Sequence, residues 1–299
     1  MDADVHGILL LDKPLGLSSA GAVARAKRLL AGAKAGHGGS LDPLADGMLP
    51  ICFGEATKFG AQLLAADKSY QATARLGERT ASADLETPVI ERRELAAFSE
   101  AELAAALAAF PRDYRQVPPM HSAIKQGGRP LYEYARAGQT RTREARPIEI
   151  RELTLLDYRP PDLRFFVRCS KGTYVRVLAE DIAARIGTIA HLVALRRVAV
   201  APFSGEALRT LEEIESLSVE ERRRLLLPVD AALRSLRRVD LAAGAVAALR
   251  QGRSVEIASE APGAVRIYAA DMGFFGIGEV CEHGRLIPVR LVAVDANRP

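Results

Sequence analysis

Between Gly36 and Pro50 the chain reads Gly-His-Gly-Gly-Ser-Leu-Asp-Pro-Leu-Ala-Asp-Gly-Met-Leu-Pro, which sets the carboxylates of Asp42 and Asp46 and the imidazole of His37 among glycines and prolines. Glycine reaches backbone conformations closed to other residues, so Gly36, Gly38 and Gly39 are expected to shape a tight loop. Pro43 biases Asp42 toward extended geometry and presents its carboxylate at a fixed angle. A carboxylate held in this way can act as a nucleophile or move a proton. The residue types leave two alternatives open. One is a glycine-rich turn ahead of a strand or helix. The other is a metal centre built on His37, Asp42 and Asp46, for which no compact second cluster completes a ligand set.

The elements on either side must hold this loop. Residues 7–11 form a buried-strand pattern that stops at the turn Asp12-Lys13-Pro14-Leu15-Gly16. Ser18 or Ser19 can cap a helix whose apolar positions Ala22, Val23, Ala26, Leu29 and Leu30 recur at helical spacing, with Gly32 at its end. After the loop, 48–53 reads as a short strand and 55–65 as a helix. Along 68–77, Tyr70, Ala72, Ala74 and Leu76 share one face and Gln71, Thr73 and Arg75 the other, the period of a half-buried strand. Ser99 and Glu102 are spaced as a capping box opening a helix that Pro111 terminates, and Thr210 with Glu213 repeats the device. Strands are expected at 148–150 and 163–169. The turn Ser170-Lys171-Gly172 then feeds a helix to about Ile186, with Gly187 as its stop. Past residue 240 the pattern changes to short strands at 265–268, 275–280 and 289–292.

A chain of 299 residues with 48% hydrophobic content can bury one large core and a small second one. The apolar runs are too short to span a bilayer and the start lacks a signal-peptide pattern, so a soluble, cytoplasmic protein is expected. Cys52, Cys169 and Cys281 are far apart and odd in number, which gives neither a disulfide framework nor a zinc spacing and suggests buried thiols. The net charge of +4 is uneven: residues 112–199 hold 17 basic against 9 acidic side chains, most of the basic ones arginine. Arginine suits phosphate contact and base stacking. Within that segment, Lys125, Arg129 and Arg136 are interleaved with Tyr132, Tyr134 and glycines, a mixture that fits a folded RNA.

Read together, these motifs resemble the TruB family of tRNA pseudouridine synthases. Its catalytic pattern, G-H-x-G-x-L-D-P-x-A-x-G-x-L, matches the loop. The opening G-x-L-L-L-D-K-P-x-G-x-S-S, the K-x-Y at 68–70, the segment 116–136, K-G-T-Y-V-R at 171–176 and H-L-x-x-L-R-R at 191–197 match further motifs in order, over nearly the whole chain. The resemblance implies an α/β (α+β) pseudouridine synthase fold with a mixed, mainly antiparallel central sheet and a small C-terminal PUA-like β-barrel. It implies a catalytic domain at 1–238 with an RNA-clasping insertion at about 118–146, mobile until RNA arrives, and an RNA-binding domain at 239–299. Asp42 is then the nucleophile, Tyr70 the ring that stacks on the target base, Arg176 a guanidinium beside Asp42, and Leu195 the pocket floor. Lys13 and its proline turn help hold the active site, His37 meets the RNA or shapes the loop, and Asp46 is a loop-stabilising acceptor. Lys125, Arg129, Tyr132 and Arg136 grip RNA, while His121 stands where many relatives have tyrosine and takes no role. Gly38 replaces a residue that is often threonine, a departure expected to loosen the loop around His37.

The implied reaction is isomerisation of the T-loop uridine at position 55 of tRNA, with no cofactor and no metal, by a monomer that needs neither a membrane nor a protein partner. The alternative is a non-catalytic RNA-binding or tRNA-folding protein, for which the basic insertion and terminal barrel suffice.

Overall fold

The apolar run at 8–11 is buried throughout in the strand Gly7–Lys13, as a strand covered on both faces requires. It pairs antiparallel with Ala45–Phe53, from Gly7 opposite Phe53 to Lys13 opposite Gly47, and Ala35–His37 also pairs with that strand. The structure, a computed structural model, describes residues 5–32, 34–257, 261–270 and 272–293. Contacts divide the chain into two units, one of Met1–Asp42, Gly47–Ala65 and Ala201–Pro299, the other of Pro43–Asp46 and Ala66–Val200.

In the first unit the helix Ser19–Leu30 starts where Ser18 accepts a hydrogen bond from Gly21 N–H (3.1 Å). It buries Ala22, Ala26 and Leu30 against Leu9, Leu11, Leu49, Ile51, Phe53, Leu211 and Ile214. The helix closes on Ala31 at φ 51°, with Ala31 N–H bonded to Arg28 and Gly32 N–H to Lys27, the paired bonds of a Schellman end. Gly32, expected as the stop, is required for packing instead: a Cβ there would lie 2.9 Å from the Phe53 ring. The single helix expected over 55–65 is a 3-10 turn, Gly54–Phe59, running into a short helix, Gly60–Ala65; the Thr57 hydroxyl donates to the Gly54 carbonyl (2.7 Å) in the tight turn. A bridge between Leu11 and Arg209 adds a parallel contact to otherwise antiparallel pairings.

The same unit carries a second sheet, ordered Arg237–Leu241, Gly263–Ala269, Gly273–Cys281, Arg285–Leu291 and Val255–Glu256, whose first pair is parallel and the rest antiparallel. The helix Ala243–Arg250 packs Val246 and Leu249 on Val265, Ile267, Phe275 and Leu286. The strand at 237–241 and this helix carry little signal in the sequence, because one lies at a charged Arg-Arg-Val-Asp stretch and the other is half alanine with no side-chain cap. Buried Asp230 accepts from Arg266 Nη1 (2.8 Å) and from the Tyr268 hydroxyl, and Arg238 lies over the Tyr268 ring at 3.9 Å. Phe59 meets Phe274 edge-on at 5.5 Å, Lys58 Nζ donates to Leu291 O (3.1 Å), and Glu55 accepts from Ala293 N–H (2.7 Å). Residues 294–299, the expected end of this domain, lie outside the described residues.

The second unit is an antiparallel sheet ordered Ala190–Val200, Lys68–Leu76, Asp162–Cys169, Arg146–Arg159 and Asp113–Gln116. Ala72, Ala74 and Leu76 face inward as their alternation requires, onto a core with Leu163, Phe165 and Val167 and the helices Glu100–Ala108 and Val175–Arg185. The expected capping boxes at Ser99 and Thr210 both form. The strand expected only at 148–150 runs on to Arg159. Its register shifts between Ile150 and Glu152 and between Leu155 and Asp157, which breaks the period of two that would have marked it.

Residues 125–136 form a hairpin and a short helix. Lys125 pairs with Pro130 and Gln126 with Arg129 around Gly127 and Gly128, both at positive φ, a two-residue hairpin turn of the kind glycine favours. The helix Leu131–Arg136 follows, and buried Tyr134 donates to the Gln126 carbonyl (3.1 Å) with the Arg129 and Arg141 guanidiniums 5.1 and 4.4 Å from its ring centre.

Two expectations about stability follow. A Cβ on Gly38 would lie 2.7 Å from the Leu63 Cβ, so threonine at 38 does not fit beside Leu63, and the glycine tightens the packing there instead of loosening it. Gly38→Thr should cost about 1–3 kcal/mol by overpacking, and Leu63→Ala in the same chain should recover part of it; thermal unfolding of the two single variants and the double variant measures the coupling. Glu180, in the helix Val175–Arg185, is pushed up to about 7 by burial and by the charge of Asp181, against Arg79 and Arg176. The folded state keeps that proton where the unfolded chain has lost it, so stability falls as pH rises from about 4.5 to about 7. Glu180→Gln should therefore gain about 1–2 kcal/mol relative to wild type at pH 8 compared with pH 4, after allowance for screening of a partly exposed group.

Candidate active site

Asp42 lies in the first unit, exposed, in the loop between Ala35–His37 and Ala45–Phe53. Gly38 N–H donates to the Pro50 carbonyl (2.8 Å), and Gly39 N–H approaches His37 Nδ1 at 3.4 Å. Of the three glycines expected to shape the loop, only Gly39 has a positive φ, 136°; Gly38 answers to Leu63, and a side chain at Gly36 would meet open space. Leu41, immediately before Asp42, is buried. Its N–H donates to Ser19 Oγ (2.7 Å), and that hydroxyl donates to its carbonyl (2.9 Å).

Lys13 is fully buried, not a surface turn lysine. Its ammonium donates to the carbonyls of Pro14 (2.8 Å) and Leu17 (2.7 Å), which closes the turn leading into the Ser18 cap. His37 is half-buried opposite Ile51 in the strand pairing. Lys13, His37 and Asp42 therefore share one unit, in which the strands of Lys13 and His37 both pair with Ala45–Phe53.

Tyr70, Leu195 and Arg176 lie in the second unit. Tyr70 pairs with Arg197 and Ala72 with Leu195, so Tyr70 and Leu195 are diagonal neighbours on one sheet face, about 7–8 Å apart between Cα atoms. Both are half-buried against the main core, which provides a ring and an apolar surface side by side. Arg197, fully buried opposite Tyr70, and Lys68, two residues before it, add charge at that end of the strand. Burial first, and then Arg197, push the Lys68 ammonium down to about 8, and its Nζ donates to the Ala66 carbonyl (2.6 Å). Sequence reasoning passed over these two cations as flanking residues of a motif; their spacing across paired strands is visible only once the register is known.

Arg176 opens the helix Val175–Arg185 and is buried. Its Nη1 donates to Ser82 O (2.9 Å), its Nη2 to His121 O (2.8 Å), and its Nε lies 3.5 Å from Asp84 Oδ2. His121, assigned no role, thus contributes a main-chain carbonyl. The turn that offers Ser82 and Asp84 is internally bonded: Thr80 Oγ1 donates to Asp84 O (2.7 Å), and the Ser82 and Thr87 hydroxyls are 2.8 Å apart. Ala83 within it adopts a positive φ of 61° while buried, a conformation a non-glycine residue holds only when its surroundings impose it. Asp46, expected as an acceptor, receives Arg196 Nη1 at 3.1 Å.

Lys125 and Arg129 are exposed and Tyr132 is at the surface. Arg129 pairs with Glu133 (3.2 Å), and Arg136 pairs with Glu86 (3.1 Å) and lies 5.4 Å from the Tyr132 ring centre. Burial raises the thiols of Cys52 to about 12 and Cys169 to about 11, which keeps them protonated and inert. Among the described residues no group of three or more His, Cys, Asp or Glu side chains is arranged to hold a metal ion, and no helix is long and apolar enough to cross a membrane.

Three family models match the chain: TruB family pseudouridylate synthase (N-terminal domain) over 27–175, tRNA pseudouridylate synthase B C-terminal domain over 176–234, and Pseudouridine synthase II TruB, C-terminal, over 238–292. A protein of Burkholderia mallei (strain NCTC 10247) named tRNA pseudouridine synthase B is 49% identical over 299 residues, 98% of each chain. Its namesake in Thiobacillus denitrificans is 50% identical over 289 residues, 97% of this chain and 96% of that one. Among solved structures, a chain from a Cbf5-Nop10-Gar1 complex superposes with a TM-score of 0.73 at 26% identity, over 97% of this chain and 85% of that one. A chain from an H/ACA RNP bound to a substrate RNA containing 2'-deoxyuridine gives 0.72 at 24% identity, over 98% and 87%. The fold is thus that of the pseudouridine synthases, with a C-terminal PUA-like sheet, and near-full-length identity of about one residue in two places the chain in the TruB family of pseudouridylate synthases.

Proposed function

We propose that this chain isomerises the T-loop uridine at position 55 of tRNA to pseudouridine, with Asp42 as the nucleophile. The observation that carries the reading is the exposed Asp42 carboxylate following a residue whose two main-chain polar groups are both bonded, so that the group is oriented before substrate arrives. The reaction breaks the bond from C1′ to N1 of uracil, joins C1′ to C5, removes the C5 proton and leaves a proton on N1. Atoms and oxidation state are conserved, and the proposal uses no cofactor or metal. The base must leave the RNA stack to be reached. Tyr70 supplies the ring against which the detached uracil stacks, Leu195 the apolar floor beside it, and Arg176 a fixed positive charge for the reaction. Lys13 and His37 hold the loop. Attack at C1′ and attack at C6 of the base are both open to a carboxylate in this role.

In this reading residues 1–238 form the catalytic domain, about 118–146 the clasp and 239–299 the accessory RNA-binding domain, and the protein works as a cytoplasmic monomer on the T-arm. Lys125, Arg129, Tyr132 and Arg136 contact RNA, and Arg136 must exchange Glu86 for phosphate to do so.

The decisive assay is tritium release from T-arm RNA labelled at C5 of uridine. Wild type should release tritium, whereas Asp42→Asn should release none and bind the RNA within a few-fold of wild type. Release by Asp42→Asn sinks the nucleophile assignment; no release by wild type, with tight binding, leaves an RNA-binding protein. In a salt titration of RNA affinity, Lys125→Ala and Arg129→Ala should each lower the log–log slope by about 0.7–0.9 through loss of one phosphate contact. A slope unchanged in both variants would remove them from the interface.

A further inference from the structure

The placement of Asp42 depends on the peptide before it. Leu41 is buried, so its N–H and carbonyl need partners inside the protein, and a single side chain, Ser19, satisfies both. The geometry leaves that hydroxyl no freedom: its proton points at Leu41 O, 2.9 Å away, and a lone pair receives Leu41 N–H at 2.7 Å. Ser19 is itself buried and stands at the first position of the helix Ser19–Leu30, directly after the Ser18 cap. The turn before the cap is closed by the Lys13 ammonium on Pro14 O and Leu17 O. The line of support therefore runs from the Lys13 turn, through a rigid helix start, to Ser19 and across to the main chain of the loop.

We propose that Ser19 is the positioning residue for Asp42, its hydroxyl acting as a two-way clamp on Leu41 that sets the direction of the carboxylate. This rests on Asp42 being the nucleophile. Replacing the hydroxyl by hydrogen leaves a buried N–H and a buried carbonyl unbonded, and the loop recovers them only by moving toward water or toward other partners. A shift of about 1 Å at a reacting group costs on the order of a hundredfold in rate. Ser19 does not itself face RNA in this account, so affinity is spared.

The test compares wild type, Ser19→Ala, Ser19→Thr and Asp42→Asn in single-turnover tritium release at saturating enzyme, with RNA dissociation constants and thermal midpoints measured alongside and the assay run well below every midpoint. The expected result for Ser19→Ala is a rate constant about 10- to 100-fold down with a dissociation constant within about threefold of wild type. Ser19→Thr, which keeps the hydroxyl, should recover most of the rate. A merely structural serine would lower the midpoint and leave the folded enzyme's rate unchanged. Wild-type rate in Ser19→Ala, or equal loss in the alanine and threonine variants, overturns the assignment while an inactive Asp42→Asn leaves the nucleophile standing. Turnover by Asp42→Asn overturns both.

Discussion

A carboxylate on a loop takes part of its direction from the peptide units on either side of it. Here the constraint is the burial of Leu41, which obliges the loop to bond internally one residue before Asp42 emerges. Much of the first unit reads as the apparatus that makes this possible. The strand Gly7–Lys13 delivers Lys13 to the turn, the turn fixes the start of the helix, and the same strand pairs with Ala45–Phe53, which takes the loop back into the sheet. Proline at 43 then limits what the backbone can do on the far side. The bonding is concentrated on the peptide before Asp42, whose own side chain is exposed.

The second unit solves a different problem, how to keep cations inside a protein. Lys68, Arg176 and Arg197 are all buried, and desolvating a charge is costly unless bonds replace water. Main-chain carbonyls do this for Arg176 through Ser82 and His121, with Asp84 alongside, and for Lys68 through Ala66. The strained Ala83 follows directly on Ser82, whose carbonyl is aimed at the Arg176 guanidinium. Buried positive charge of this kind suits a protein whose substrate is a polyanion, since the field persists where surface charges are screened by salt.

Much of this was legible in the sequence where periodicity and side-chain chemistry agreed. The alternation at 68–76, the capping boxes at Ser99 and Thr210 and the apolar run at 8–11 each name their own structure. Asp42 stood out through the match of its loop to the family's catalytic pattern, since glycine, proline and aspartate by themselves also make an ordinary turn. What stayed hidden depended on contacts distant in sequence. Leu63 decides why residue 38 is glycine, and register decides that Arg197 faces Tyr70. The Ser19 clamp joins residues 22 apart that no local pattern connects. The Gly127-Gly128 hairpin was legible in principle, as a two-glycine turn between paired dipeptides, but strands of two residues offer no period to detect.

The attachment of the C-terminal sheet bears on the history such a chain can have. Asp230 belongs to the segment before residue 239, yet its cation and hydroxyl partners, Arg266 and Tyr268, come from the sheet beyond it; Phe59 likewise leans on Phe274, and Glu55 and Lys58 bond to the main chain near Leu291. A gene shortened at the apparent domain boundary would encode a protein with Asp230 parted from both of these partners and the Phe59 ring turned out to water. Loss of this module by simple deletion therefore removes contacts from the part that remains, the buried Phe59 ring above all.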